Sequence, residues 1–369
     1  MAYLDANATQ PLRPAAREAM LAVMECTGNP SSVHHAGRAA RRMLEDAREA
    51  LALRFGGRPA GLIFTSGGTE ADALALHAMS PGRRVVVSAI EHDAVRAAVN
   101  GATVLPVRPD GVADLDALAA ILADNIPSLV CLMLANNETG VIQPVGEAAA
   151  ICRAHGALLH VDAVQGAGRI PVSLTALGAH SLALSSHKLG GPAGIGALLL
   201  APDAPFAGPL IAGGGQEMRR RGGTQPVVLA AGFTAAAVAE NAVASDASLL
   251  ASLRDAAEAA AVASGAVVIA AAAPRLPNTT CLALPGVRAD AQVIALDLEG
   301  IAVSAGAACS SGKVVASHVL EAMGLGALAS EAIRVSLPWN ATPADIHAFA
   351  AAYQRSAARL CAALAQAAA

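Results

Sequence analysis

Between about residue 38 and residue 200 the chain alternates short apolar runs with longer helical patterns, and this restricts its fold more than any other feature. The runs Leu62–Thr65, Val85–Ser88, Thr103–Val107, Leu129–Leu134, Ala157–Val161, Ser181–Leu184 and Ala197–Leu200 read as strands. Helix-length segments such as Asp114–Ala123 and Val145–His155 separate several of them. Strands alternating with helices predict an α/β fold with a mostly parallel sheet. Ligands of such sheets sit beyond the carboxyl ends of the strands.

From Val227 to about Gly265 the pattern is helical and alanine-rich, and we place a domain change here. Short strands return at Val267–Ala270, Thr280–Leu284, Ile301–Ser304 and Ile333–Leu337, as expected of a smaller α/β domain. A final helix is announced by Thr342-Pro343-Ala344-Asp345, with an N-cap, a proline in the first turn and an acid beside it. The expected division is a large domain over 13–250 and a small one made of 1–12 with 251–369.

Aromatic residues make up only 2% of the 369, so a core of this size must be aliphatic. Charged residues at 15% against 54% hydrophobic exclude a disordered chain. The mean hydropathy of +0.49 raises the question of a membrane. The longest near-apolar run, Val227 to Ala239, falls short of the roughly 20 residues a spanning helix needs. The N-terminus has neither basic region nor apolar signal core, so a cytoplasmic location is expected. The net charge is −4, and Arg219-Arg220-Arg221 alone does not make a nucleic-acid surface. The six cysteines form no C-x-x-C pair and fit no zinc spacing, so no resident metal is expected.

The candidate site residues follow predicted strands. Lys188 lies in Ser185-Ser186-His187-Lys188-Leu189-Gly190-Gly191, between two apolar strands. Alone it reads as a solvated loop lysine; desolvated, it is a Schiff-base former. Asp162 ends another apolar run, with Gln165 three residues on. A lysine with an aspartate for a pyridinium nitrogen is the pairing that pyridoxal phosphate requires. Thr65-Ser66-Gly67-Gly68-Thr69-Glu70 joins a strand to a helix, either as an ordinary capped turn or as an anion site for the cofactor phosphate. His92 follows a strand and can stack on a cofactor ring or remain a solvated side chain. Asn137, in Asn136-Asn137-Glu138-Thr139-Gly140, can donate to a phenolate oxygen or serve a turn. Cys309 stands in a run of small residues, Val303 to Gly312, either as a presented nucleophile or as an incidental thiol. Arg334, in an apolar strand, needs a partner: a substrate carboxylate or a structural acid.

Taken together these motifs resemble the cysteine desulfurases, the NifS/IscS-like group of class V aminotransferase-fold enzymes. The likeness runs nearly end to end: Tyr3-Leu4-Asp5-Ala6-Asn7-Ala8-Thr9, Gly28-Asn29-Pro30-Ser31-Ser32, Thr65 to Glu70, Asn136 to Gly140, His160-Val161-Asp162-Ala163, Ser186-His187-Lys188, Ala305 to Ser310 and Arg334-Val335-Ser336-Leu337. The resemblance implies the fold-type-I architecture of pyridoxal-phosphate transferases, with a mostly parallel seven-stranded sheet. It implies that Lys188 holds pyridoxal 5'-phosphate covalently and that Asp162 pairs with the ring nitrogen. Gln165 and Asn137 would contact the phenolic oxygen side, and His92 would stack on the ring and assist proton transfer. Gly68, Thr69, Ser185 and His187 would bind the phosphate, with Thr224 supplied by the partner of a homodimer. Arg334, with Asn137, would hold the substrate carboxylate. Cys309 would take sulfur from L-cysteine as a persulfide, leaving alanine, and pass it to an iron–sulfur scaffold or another acceptor, with at most a transient iron–sulfur contact there.

The chain departs from the family pattern at Gln10 and Ala193, at Ala71-Asp72-Ala73 and in a shorter tail, which touches subgroup and acceptor docking and no chemical group named above. Two rival readings accompany this one. Another fold-type-I enzyme, an aminotransferase or a kynureninase-like hydrolase, would share Lys188 and Asp162 but would not need Cys309. A non-catalytic sulfur carrier or scaffold partner would not need the cofactor contacts.

Overall fold

The computed structural model describes residues 1–239, 243–306 and 316–368. It opens with β1 (Ala2–Tyr3) and the helices α1 (Pro14–Val23) and α2 (His35–Arg54). Seven strands then build the central sheet: β2 (Leu62–Thr65), β3 (Arg84–Ser88), β4 (Thr103–Leu105), β5 (Ser128–Cys131), β6 (Leu158–Asp162), β7 (Ser181–Ser185) and β8 (Gly196–Leu200). Helix α3 (Gly68–Met79) follows β2. The sheet order is β2-β8-β7-β6-β5-β3-β4. Only β8 runs antiparallel to its neighbours, so the expected mostly parallel sheet is found.

Both faces of this sheet are covered, which is why its strands read as apolar runs rather than alternating ones. Leu159, Val161, Leu182 and Leu184 pack into one core, whereas Ala183, Leu198 and Cys131 pack into the other, with Leu74 and Ala75 of α3. Side chains alternate along a strand. Within β6, His160 and Asp162 therefore point away from Leu159 and Val161, toward the side covered by α3. Aliphatic residues make up most of the interior, and Phe55, Phe233 and Phe349 are its bulkiest fully buried side chains.

After the helices Val227–Ala239 and Val243–Ala263 come β9 (Val267–Val268), β10 (Thr279–Ala283), β11 (Ile301–Ala302), β12 (Ser304–Ala305) and β13 (Ala332–Ser336). A second sheet has the order β12-β13-β10-β9. β1 pairs with β11, and Ala2 and Leu4 share a core with Leu282, Ile333 and Phe349. The helix Pro343–Ala368 begins as its sequence predicts: Thr342 N donates to Asp345 Oδ2 at 2.9 Å.

Several strands end earlier than their apolar runs. β4 stops at Leu105 because Pro106 has no N–H to continue the ladder. β9 is short because Ala270 turns the chain, with a φ of 55°. The run Ile301–Ser304 splits, because Ile301 and Ala302 pair with β1 while Ser304 and Ala305 pair with β13.

Candidate active site

One cavity of about 410 Å³ opens beyond the carboxyl ends of β2, β6 and β7. Gly68, Thr69, His92, Asn137, Asp162, Gln165, Ser185, His187, Lys188 and Arg334 all line it, so most of the predicted site is brought together. Two predicted residues are not among them. Thr224 is exposed and borders a separate small pocket with Ser66 and Arg221. Cys309 lies outside the described residues; Gly306, three residues before it, lines the cavity.

Lys188 sits in the single turn after β7 and donates from Nζ to the carbonyl oxygen of Asn7 at 2.5 Å. Burial, with the nearby Arg334 and Arg169 cations, lowers its pKa to about 8 against the opposing pull of Asp162 and Asp5. An amine poised there is a nucleophile and a base near neutral pH. The same carbonyl accepts from Gln165 Nε2 at 3.1 Å, while the buried Gln165 Oε1 has no partner.

Asp162 ends β6 and accepts from Val164 N at 2.9 Å through Oδ1. Burial raises its pKa, and that hydrogen bond and the nearby His92 and Lys188 oppose the rise. Two further buried acids crowd it. Burial, Asp162 and Glu91 push Asp72 well up, and burial and Asp162 push Glu91 up to about 8. Asp72 Oδ1 lies 3.1 Å from His160 Nε2, whose own pKa burial lowers to about 4. Both shifts favour the uncharged forms, so this contact is a neutral hydrogen bond rather than an ion pair.

At the mouth of α3 the N-cap is Gly67, with no side-chain cap. The first N–H groups of a helix have no partner within it, so those of Gly68 and Thr69 are available to an anion. A Cβ on Gly68 would stand 2.7 Å from Val164 Cγ2. His92 Nδ1 accepts from Ala94 N at 3.1 Å, which leaves Nε2 to carry the ring proton. His187 Nδ1 meets Thr9 Oγ1 at 3.2 Å, and burial, Lys188 and Arg169 lower this imidazole to about 4. Asn136 Oδ1 accepts from Glu138 N and Thr139 N, and the resulting turn presents Asn137 at the cavity.

Arg334 has a structural acid for a partner, one of its two predicted possibilities. It pairs with Asp5, Nη2 to Oδ1 at 2.7 Å, and donates to the Asn137 carbonyl at 3.1 Å. Its buried Nε has no partner. Sequence reasoning assigned no role to Asn7 or His318, which also line the cavity. Asn7 lies within Tyr3–Thr9, one of the stretches that carry the family likeness; His318 Nε2 meets the Glu91 carbonyl at 3.1 Å, a contact no local pattern announces.

These features fit a phosphorylated pyridine aldehyde. An amine of lowered pKa, a carboxyl able to meet a ring nitrogen, unpartnered Gln165 Oε1 and free helix N–H groups share one cavity. Among the described residues no group of three or more His, Cys, Asp and Glu is arranged to hold a metal ion, and no helix is long and apolar enough to cross a membrane.

Comparison with known proteins gives the same direction. The aminotransferase class-V family model matches residues 2–349. The IscS-like cysteine desulfurase of Mycobacterium tuberculosis is 40% identical, over 94% of this chain and 94% of its own length. A cysteine desulfurase of Cereibacter sphaeroides is 43% identical, over 93% of this chain and 92% of its own. The crystal structure of a NifS-like protein from Rickettsia africae superposes with a TM-score of 0.90 at 35% identity, covering 96% of this chain and 99% of that one.

Proposed function

The chain belongs to the class-V aminotransferase family, among its cysteine desulfurases, and we propose that it removes sulfur from L-cysteine, giving alanine and a persulfide on Cys309. The family implies dependence on pyridoxal phosphate. When bound, this cofactor supplies an electron sink for the substrate's Cα. Lys188 would hold it covalently and, as a free amine, would move the proton at Cα. Asp162 would pair with the ring nitrogen, whose positive charge would favour the carboxylate against the effect of burial. Gln165 and Asn137 would contact the phenolic oxygen side. His92 would stack on the ring and assist proton transfer through Nε2. The N–H groups of Gly68 and Thr69, with Ser185 and His187, would take the phosphate.

Arg334 receives the substrate carboxylate, in the direction of its unpartnered Nε. The Cys309 thiolate accepts the substrate sulfur, so activity falls as that thiol is protonated. Thr224, exposed and outside its own cavity, reaches the phosphate of a second copy, and the active form is a homodimer. The persulfide passes to an iron–sulfur scaffold or a similar acceptor protein. The five described cysteines are all free thiols, in keeping with a reducing cytoplasmic setting.

The observation that carries this reading is Lys188, its amine lowered to about 8, in one cavity with Asp162 and the start of α3. The test is alanine and sulfide production from L-cysteine with a reductant, for wild type and Cys309→Ser. Both products from wild type alone, with the cofactor absorbance kept in the variant, are expected. Full activity in Cys309→Ser removes the role given to that thiol. A yellow wild-type enzyme that makes neither product shifts the function to another reaction of the fold.

A further inference from the structure

The segment that leads to Thr224 is held by two arginine–carboxylate pairs that the reaction does not use. Glu217, Met218 and Arg219 have φ values of 48°, 55° and 64°, three successive non-glycine residues in the left-handed region. Such a turn is unfavourable for L-residues and persists only where its surroundings enforce it. Here Glu217 is buried and meets the buried Arg48 of α2 through both oxygens, at 2.7 and 2.8 Å. Glu217 Oε2 also accepts from Phe64 N at 2.9 Å, and Oε1 from Gln225 Nε2 at 3.1 Å. The turn is therefore anchored to the body of the sheet.

Two residues further on, Arg221 grips Glu70, Nε to Oε1 at 2.8 Å and Nη2 to Oε2 at 3.1 Å. Their side chains are 18% and 10% exposed, so solvent screens the pair only in part. Glu70 lies in the first turn of α3, and its Oε2 also accepts from Ser66 N at 2.7 Å. The carboxylate thus lies across the start of the helix whose Gly68 and Thr69 border the cavity. A phosphate dianion there would face a like charge within one helical turn, and Arg221 is the group that neutralises it. Arg221 in turn is three residues from the exposed Thr224.

We propose that the Glu70–Arg221 pair is a strut joining one protomer's phosphate cradle to the segment that the same protomer lends its partner, so that filling the cradle tightens the dimer and dimerisation tightens the cradle. Glu70 and Arg221 are positioning residues in this scheme, and their effects on the two equilibria are reciprocal. The inference rests on the reading of Thr224 as a ligand of the partner's cofactor phosphate.

The experiment uses the full chain freed of cofactor. Pyridoxal phosphate affinity is read from the absorbance of the bound ring, and dimer dissociation from sedimentation with and without pyridoxal phosphate. In wild type the cofactor is expected to tighten the dimer. In Arg221→Gln the affinity for the cofactor is expected to fall about tenfold, the loss of a partly buried charged hydrogen-bonded pair, and the cofactor no longer tightens the dimer. Adding Glu70→Gln to that variant is expected to restore most of the affinity, because the unpaired carboxylate is gone. Arg221→Lys keeps the charge without the two-point grip, and intermediate losses are expected; it carries the test if Arg221→Gln does not fold. Wild-type affinity and wild-type linkage in the folded Arg221 variants overturn the strut. Thr224→Val separates the two ideas. If it weakens cofactor binding while the Arg221 variants do not, the strut fails and the Thr224 reading stands. If it changes neither equilibrium, the Thr224 reading fails and takes the strut with it.

Discussion

Arg334 Nη2 donates to Asp5 Oδ1 at 2.7 Å, which ties the first residues of the chain to β13 at the edge of the cavity. Arg334 is 4% exposed. A guanidinium buried this far is costly without its acid. Asp5→Ala is expected to lower stability by about 3 kcal/mol, the usual cost of breaking a buried pair from one side. Urea unfolding of the cofactor-free protein measures it. A loss under about 0.5 kcal/mol would class the pair with solvent-screened surface bridges.

The same guanidinium predicts a kinetic split. Arg334→Lys keeps a positive charge but loses the planar fork that grips a carboxylate at two points. The KM for L-cysteine is expected to rise roughly tenfold or more, with kcat much less affected. Steady-state kinetics decide it; an unchanged KM with a lowered kcat would move Arg334 from substrate binding to the chemistry.

Gly68 is excluded from substitution by space rather than by backbone strain, since its φ lies outside the left-handed region. An added Cβ would meet Val164 Cγ2 at 2.7 Å and Ser185 Cβ at 3.5 Å. Val164 N holds Asp162 Oδ1, so displacing Val164 disturbs the carboxyl as well. Gly68→Ala is expected to cost about 1–2 kcal/mol in stability, as overpacking does, and to weaken pyridoxal phosphate binding. Absorbance titration of the cofactor-free variant measures this, and wild-type affinity would show that the cradle does not depend on close packing here.

The legible parts of the fold and site are those set by local pattern. Leu62–Thr65 appears as β2 residue for residue, because its four side chains are buried and a turn follows at once. Asp162 stands out as a candidate because it ends an apolar run, and it does line the cavity. Arg334 was ambiguous because Asp5 is 329 positions away in sequence. The left-handed turn at Glu217 gives no propensity signal, and its anchor Arg48 is 169 positions distant. Asp72 and Glu91 look like surface acids in sequence, and only the tertiary packing removes them from water.

Glu91 makes that packing measurable. Its pKa rises from 4.5 to about 8 through burial and the nearby Asp162, so folding takes up a proton between those values. The unfolded chain binds fewer protons there, and this residue's contribution falls as pH rises from 4.5 toward 8. Glu91→Gln leaves an oxygen for Met133 N and removes the titration. The cofactor-free variant is expected to be close to wild type at about pH 5 and more stable by about 3 kcal/mol near pH 8. Equal stability of the two proteins throughout would show that Glu91 titrates normally.

Lys188 predicts the opposite slope in the next window. Its folded pKa is lowered from 10.5 to about 8, so the folded, cofactor-free protein gives up a proton that the unfolded chain keeps. The cost of burying the ammonium is fully present below about pH 8 and is relieved as pH rises toward 10.5. Lys188→Met removes the charge with little change in volume. It is expected to exceed wild type in stability at pH 7 and to lose about 2 kcal/mol of that margin by pH 10. Chemical denaturation of both cofactor-free proteins at the two pH values tests this. A margin that does not change with pH would mean that the amine keeps its ordinary pKa, and would leave Lys188 without the reactivity near neutral pH on which its place in the reaction depends.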